Sequence, residues 1–295
     1  LAGKSCSQAE LAGKLETSER GLGTLLNALV AMDLLSKDGD NYSNAPLAET
    51  FLDKNNPDYV GHIIMHHHHL VDGWAQLAEV VKTGQPAQTR SHGEEQERES
   101  FQMGMFNLAS AFAPTVAESI NLSGRKHLLD LGGGPGTYAV HFCMANPTLI
   151  ATVFDLPTTK PFTEKIVKRF GVEDRVAFTA GDFLVDPIPG RYDVVWLSHI
   201  IHSNSPDECR NLIRKVAQAM ESGGLVMIHD FFLNETMDGP LFPALFSLNM
   251  LLNNNGRSYS EAETREMMLE AGLVDIDRLP FQGANDSAIL VGVVP

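Results

Sequence analysis

The chain has 295 residues, enough for two domains with a substantial core, and 43% of them are hydrophobic. Its formal net charge of −15 disfavours nucleic acid or an anionic membrane surface as the main partner. No apolar run approaches the roughly 20 residues that span a bilayer, and no secretory signal opens the chain. Three scattered cysteines, Cys6, Cys143 and Cys209, argue for reduced thiols in a cytoplasmic setting. Because the chain starts at Leu1 without a methionine, residues preceding it are expected.

From Ser7 to about Leu52 the pattern is helix, helix, hairpin. Gln8–Leu15 is a short amphipathic helix. Thr17-Ser18 caps a second, about Glu19 to Leu35, with Leu22, Leu25, Leu26, Leu29 and Val30 on one face. Asp38-Gly39-Asp40 then turns a hairpin. This is a winged-helix pattern, which serves either DNA reading or scaffolding. The second helix offers only Arg20 and Asn27 among glycine and leucine, which favours a scaffold or dimerisation module.

A helix is expected from His62 to about Val81, with Trp74, Leu77 and Val81 as its apolar stripe. It contains His66-His-His-His69. Successive helical residues point about 100° apart, so these four cannot converge on one ion; some should face the pocket or helix partners and the others solvent. Thr83 to about Ser100 is polar and reads as an exposed connection. Phe101 to Ile120 reads as one helix leading into the sheet.

The organising stretch is His127-Leu-Leu-Asp-Leu-Gly-Gly-Gly-Pro-Gly136, a strand that breaks into glycines and restarts as a helix at Thr137. Such a turn builds a nucleotide-sized crevice in an open parallel sheet. A P-loop would need Gly-Lys-Ser/Thr, and Gly136 is followed by Thr137-Tyr138. A dinucleotide fingerprint is harder to set aside, since Gly134, Gly136 and Ala139 fit its Gly/Ala variant. Charge discriminates better. A carboxylate at Asp130 would repel a pyrophosphate but attract an ammonium or sulfonium, both of which S-adenosyl-L-methionine carries. Asp155, ending the next strand, suits the ribose hydroxyls of either cofactor.

Beyond the turn the chain alternates strictly. Helix 137–145 leads to strand 149–154, helix 158–170 and strand 175–180. Strand 193–198 follows, then helix 206–220 and strand 224–230. The strands lack polar alternation, as when helices cover both faces of a sheet. Two more helices, 239–253 and 260–271, precede two strands, 273–279 and 287–294, joined by Gly283-Ala-Asn-Asp286. A terminal hairpin of this kind adds an antiparallel strand to a parallel sheet.

Taken in order, Asp130-Leu-Gly-Gly-Gly-Pro-Gly136, Phe154-Asp-Leu-Pro157, Gly181-Asp-Phe183 and Ile200-Ile-His-Ser203 with Asp207-Glu208-Cys209 behind it give nearly the whole chain a resemblance to one family. It resembles the S-adenosylmethionine-dependent small-molecule O-methyltransferases of the plant caffeate and isoflavone type and their bacterial polyketide and carotenoid relatives. The resemblance implies a Rossmann-like class I methyltransferase sheet with a C-terminal antiparallel hairpin over 101–295. A mainly helical winged-helix dimerisation domain over 1–100 would precede it, giving a homodimer. It places cofactor contacts at Asp130, Gly132, Gly134 and Asp155, with Leu156, Asp182 and Phe183 flanking the adenine and Met105 close to cofactor and substrate. Ser198 stands where plant members carry a lysine near the cofactor, and Asn204 replaces a tryptophan.

His202 falls on the family's general base, and Asp230 on the acid that orients it. Independently, His202 lies just past a strand's carboxyl end, where such sheets bind ligands, and histidine titrates near neutrality. From the residues alone, a solvent-facing loop histidine beside His199 is as good an account. The family's second acid belongs near Gly256-Arg-Ser-Tyr259, where Ser258 or Tyr259 stands instead, with Glu261 and Glu263 following.

The expected function is therefore O-methylation of a small-molecule hydroxyl acceptor with His202 as base and no metal. The acceptor should be aromatic or polyketide-like, because the expected lid residues Phe106, Phe242, Phe246 and Met250 are apolar unless they are plain core. The alternatives are a same-fold relative that methylates carbon or does not methylate, and a nucleoside-sensing winged-helix regulator. A nicotinamide dehydrogenase is disfavoured by Asp130 and the terminal hairpin.

Overall fold

A computed structural model describes residues 1–87 and 95–295. Two compact units divide at Met65/His66. The boundary expected at residue 100 falls instead inside a helix, Glu95–Ser110.

The first unit holds β1 (Cys6–Ser7), α1 (Gln8–Leu15), α2 (Glu19–Ala31), β2 (Leu35–Asp38), β3 (Asn41–Asn44) and α3 (Pro46–Phe51). Ser7 and Glu10 form a reciprocal capping box on α1, and Ser18 caps α2 by accepting from Gly21 N. The strands pair antiparallel in the order β1-β3-β2. Leu11, Leu22, Leu26, Leu35 and Tyr42 make the core. The second helix stops at Ala31, short of the expected Leu35, because Asp33 turns left-handed (φ 57°) and Leu35 joins the sheet. Leu25, expected on the buried face, is 55% exposed. Asn27 Oδ1 accepts from Lys37 Nζ and Tyr42 OH, so the best base-reading candidate is engaged in holding the unit together.

Helix α4 (Gly61–Trp74) carries the division between the units, and α5 (Leu77–Thr83) follows it. The single helix expected over 62–81 is thus two, and its stripe is shifted: Trp74 and Val81 are exposed and Val80 is buried. His66 and His69 are half-buried, His66 against the Phe101 ring and His69 Nδ1 3.2 Å from Ser100 Oγ, while His67 and His68 are exposed. Part of the expected connection, residues 88–94, lies outside the described residues, and its end is already helical in α6 (Glu95–Ser110). The expected helix 101–120 breaks before α7 (Ala113–Ser119), because Pro114 in the first turn of α7 has no N–H to continue α6.

The sheet of the second unit comprises β4 (His127–Leu131), β5 (Ile150–Asp155), β6 (Val176–Ala180), β7 (Tyr192–Ser198), β8 (Met220–Phe231), β9 (Val274–Arg278) and β10 (Ser287–Val293). Between them run α8 (Thr137–Ala145), α9 (Lys160–Phe170), α10 (Pro206–Gln218), α11 (Leu241–Asn253) and α12 (Glu261–Glu270). The strand order is β6-β5-β4-β7-β8-β10-β9, parallel from β6 to β8, with β10 antiparallel to β8 and β9. This is the Rossmann-like sheet with a terminal antiparallel hairpin that the alternation implies. Buried apolar clusters line both faces, one with Leu128, Val153 and Trp196, the other with Leu129, Val195 and Ile228. The chain winds outward from β4 to β6 and returns at β7, so the switch point lies past the carboxyl ends of β4 and β7, where such sheets form their ligand crevice.

No helix of the described residues is long and apolar enough to cross a membrane. The first unit exposes Leu15, Leu25, Met32, Leu47, Phe51, Ile64 and Met65, each at least 41% open. A surface with so many large apolar side chains marks an interaction face. Light scattering at micromolar concentration is expected to give twice the chain mass; a monomer would contradict that use of the surface.

Candidate active site

The crevice begins where β4 meets the glycine turn. Gly132 adopts φ +64°, and a Cβ there would lie 2.4 Å from Ile200 Cδ1 and 3.2 Å from Phe183 Cε1. Only glycine lets the backbone turn left-handed this close to both side chains. Gly134 N–H donates to Asp155 Oδ2 at 2.8 Å, and Gly134 O accepts from the Thr163 hydroxyl at 2.7 Å. Asp155 Oδ1 accepts from Leu156 N and from the Thr159 hydroxyl. Three of the roughly four lone-pair positions of this carboxylate are therefore filled, leaving one for a ligand hydroxyl. Burial raises the Asp155 pKa, opposed by these hydrogen bonds.

Asp130 sits beneath the turn. It is 1% exposed, and its Oδ2 accepts from Ala139 N at 3.2 Å. A Cβ on Gly133 would lie 2.5 Å from its carboxyl carbon. Burial raises its pKa to about 7, with Asp155 adding to the rise and the Ala139 bond opposing it. Asp130 thus organises the turn and the start of α8 from below.

Of the remaining expected cofactor residues, Phe183 lies against the turn, its Cε1 3.2 Å from the place of a Gly132 Cβ. Leu156 is half-buried after β5. Asp182 and Phe183 are half-buried after β6, with Asp182 Oδ1 accepting from Leu184 N and the Phe183 carbonyl accepting from Lys215 Nζ. Ser198 ends β7, its Oγ 3.0 Å from His229 Nδ1. Met105 is half-buried on α6. Gln102, one turn earlier, reaches the site visibly. Its Nε2 donates to Thr159 Oγ1, and its Oε1 lies 3.2 Å from the place of a Gly134 Cβ. Sequence reasoning missed Gln102, Thr159 and Thr163; the one available signal was the i, i+4 spacing of the two threonines.

The second half of the site comes from β7 and β8. Their register pairs Ser198 with His229, and His199 N–H donates to His229 O at 2.8 Å. The chain then enters a tight turn, Ile201–Ser203, that brings His202 back over Asp230. His202 Nδ1 is 2.6 Å from Asp230 Oδ1, and His202 N–H donates to Asp230 Oδ2 at 3.3 Å. Phe231 N–H donates to Oδ1 at 2.8 Å. His202 is 6% exposed and Asp230 1%. Burial pushes the Asp230 carboxyl upward, but the His202 charge, the bonds from His202 and the nearby His199 outweigh it and hold it well below its ordinary range. An ionised carboxylate can only accept, so His202 Nδ1 is the donor of the 2.6 Å bond.

His199, in left-handed backbone (φ 59°), brings a second Nδ1 to 3.7 Å from Asp230 Oδ1. His199, His202 and Asp230 place their donor atoms within 4.8 Å of one another. Two ligands of one zinc ion would sit roughly 3.4 Å apart in tetrahedral geometry. The 2.6 Å His202–Asp230 separation is that of a charge-assisted hydrogen bond. His229 is held well below its usual pKa, first by burial and then by nearby His199. This neutral ring stacks on Trp196 and lies 3.1 Å from Ser287 Oγ.

An aromatic wall flanks the dyad. Phe246 meets the His202 ring edge-to-face at 4.8 Å, Phe231 meets both Phe242 and Phe246 at 4.9 Å, and the last two stack. Of the four expected lid residues, Phe242 and Phe246 join this wall. Phe106 and Met250 are buried, Phe106 within the core cluster under α8. Ser258, one of the two residues that stand where the resemblance expects a second acid, is fully buried, and its N–H donates to Ser247 Oγ. The acids that follow are taken up: Glu261 pairs with Arg278, and Glu263 with Arg257 and the Ser260 cap.

Residues 72–274 match a family model described as an O-methyltransferase domain, and residues 1–54 one described as an O-methyltransferase dimerisation domain. The 3-hydroxy-5-methyl-1-naphthoate 3-O-methyltransferase of Streptomyces sahachiroi is 31% identical over 99% of this chain and 87% of its own. The tetracenomycin polyketide synthesis 8-O-methyl transferase TcmO of Streptomyces glaucescens is 34% identical over 98% and 88%. A solved O-methyltransferase family protein from Burkholderia thailandensis superposes with a TM-score of 0.87 at 27% identity, covering 99% of this chain and 89% of that one.

The raised pKa of Asp130 has a thermodynamic consequence. Below its ordinary value of 3.8 both folded and unfolded chains hold the proton, so its contribution to stability is complete there. As pH rises towards the folded value of about 7, the unfolded chain releases the proton first and stability falls. The loss amounts to at most roughly 4 kcal/mol. Asp130→Asn removes this term, so its melting temperature should gain on wild type between pH 5 and pH 8 in scanning calorimetry. Parallel curves would contradict the assignment.

Proposed function

Because the chain belongs to the S-adenosylmethionine-dependent O-methyltransferase family, we propose that His202 is its general base and that its acceptor is a small, largely apolar aromatic or polyketide-like hydroxyl compound. The observation that carries this reading is the buried His202–Asp230 pair, bonded at 2.6 Å and facing an aromatic wall. The two streptomycete relatives, named for a naphthoate hydroxyl and a polyketide 8-hydroxyl, support the acceptor class.

The glycine-turn residues fit the cofactor. Asp155 keeps one acceptor position for a ribose hydroxyl, and Gly132 and Gly134 leave the backbone open for a methionine tail. Leu156, Asp182 and Phe183 would bound the adenine, Ser198 and Met105 would lie towards the methyl end, and Asp130 would support the turn. When bound, S-adenosylmethionine supplies an electrophilic methyl group on a sulfonium. The protein's own part is proton handling and placement. Nε2 of His202 takes the acceptor's hydroxyl proton as the oxygen gains the methyl group, and the ionised Asp230 stabilises the resulting imidazolium. Phe231, Phe242 and Phe246 hold a planar acceptor against the base, and most of the acceleration comes from that positioning. In the same reading the first unit, up to Met65, serves dimerisation and the second methyl transfer. The free thiols of Cys6, Cys143 and Cys209, all buried, support a reducing, cytoplasmic location.

His202→Ala should lower turnover about 10²–10⁴-fold on 3-hydroxy-5-methyl-1-naphthoate or a hydroxylated tetracyclic polyketide, with S-adenosylhomocysteine affinity unchanged. Asp230→Asn should cost less, since the base remains. Near-full activity of His202→Ala would remove the base assignment. Asp155→Ala should weaken S-adenosylmethionine binding by roughly 1–3 kcal/mol in calorimetry. Unchanged affinity would remove Asp155 from the ribose site.

A further inference from the structure

The segment that lacks the family's second acid is tied to both members of the dyad. Gly256 lies so close to the His202 turn that a Cβ on it would be 2.0 Å from the His202 carbonyl oxygen and 2.6 Å from Asn204 N. These are backbone atoms of a folded turn, with no flexible side chain to give way. Three residues on, the Tyr259 hydroxyl donates to Asn204 O at 2.6 Å, and the Tyr259 carbonyl accepts from Leu233 N at 2.9 Å. Leu233 follows Asp230 by three residues on the extension of β8. Tyr259 therefore joins the end of the strand that carries Asp230 to the turn that carries His202. It is 1% exposed, its ring is covered by the Arg257 guanidinium at 4.6 Å, and Arg257 is itself held by Glu263. Besides the two bonds from His202 to Asp230, the other bonds on the turn are local, among them Asn204 Nδ2 to Ile200 O and Cys209 Sγ to Ile201 O.

We propose that Gly256–Tyr259 is a brace that sets the His202 turn against Asp230, with Tyr259 a positioning residue of the dyad. The proposal rests on the assignment of His202 as base for its catalytic consequence, but not for its structural one. A short charge-assisted bond between buried groups is sensitive to tenths of an ångström. The turn that presents His202 has only three residues, so it needs an external support to hold that distance. A brace made of backbone contact and one phenol supplies position where the family's second acid would supply charge.

The test is Tyr259→Phe, which deletes the hydroxyl and keeps the ring under Arg257. Ring C–H signals of a histidine-labelled chain report the dyad directly, with His202 identified by the signal lost in His202→Ala. The variant should move the His202 signal and its titration midpoint, and leave those of His127 and His141 in place. S-adenosylhomocysteine affinity should stay within about twofold. Turnover on 3-hydroxy-5-methyl-1-naphthoate should fall about 10–100-fold at unchanged KM, the scale of a misplacement of about 1 Å. Gly256→Ala should displace the same signal further; if that variant does not fold, Tyr259→Phe decides. A His202 signal that titrates as in wild type overturns the brace. A displaced signal with unchanged turnover leaves the brace standing and overturns the base assignment.

Discussion

The hydrogen bond between His202 and Asp230 is the constraint on which the rest of the catalytic unit depends. A carboxylate with 1% exposure cannot remain charged alone, because desolvation of an isolated buried ion costs several kcal/mol. Here an imidazole, a second imidazole at 3.7 Å and the amides of His202 and Phe231 share the charge. The sheet makes this arrangement possible. Pairing Ser198 with His229 leaves Asp230 just past the end of β7, where the chain doubles back as a tight turn. A register slip of one residue would turn Asp230 to the opposite face.

Three acids, Asp130 and Asp230 buried and Asp155 half-buried, end or underlie parallel strands, and their partners set their states apart. Asp130 and Asp155 receive mainly backbone and hydroxyl dipoles, and burial prevails in raising both. Asp230 faces imidazoles and is lowered. At Asp230 the protein's own groups, the His202 charge foremost, favour the ionised form.

Much of this was legible in the sequence because the strands are buried on both faces. Continuous apolar runs such as Asp193-Val-Val-Trp-Leu-Ser198 announce themselves, and their ends locate Asp130, Asp155, His202 and Asp230. What stayed hidden depends on contacts across long stretches of chain. Gln102 reaches Thr159 across 57 positions, and the Tyr259 hydroxyl finds a carbonyl 55 positions away. Periodicity also cannot separate one long helix from two short ones, as the breaks after Trp74 and Ser110 show, although Pro114 was a usable stop signal for the second. Nor could it tell that Leu25 lies outside the small core of its unit. The aromatic wall was half visible: Phe242 and Phe246 share an apolar helix with Met250, and only the fold separates the residues that meet Phe231 from the one that is buried.

The most direct measurement is a crystal structure with S-adenosylhomocysteine and 3-hydroxy-5-methyl-1-naphthoate bound together. The account predicts the acceptor hydroxyl within about 2.6–3.2 Å of His202 Nε2, with the ring plane against Phe231 and Phe246. An acceptor hydroxyl held by other groups and out of reach of Nε2, with the dyad intact, would contradict it.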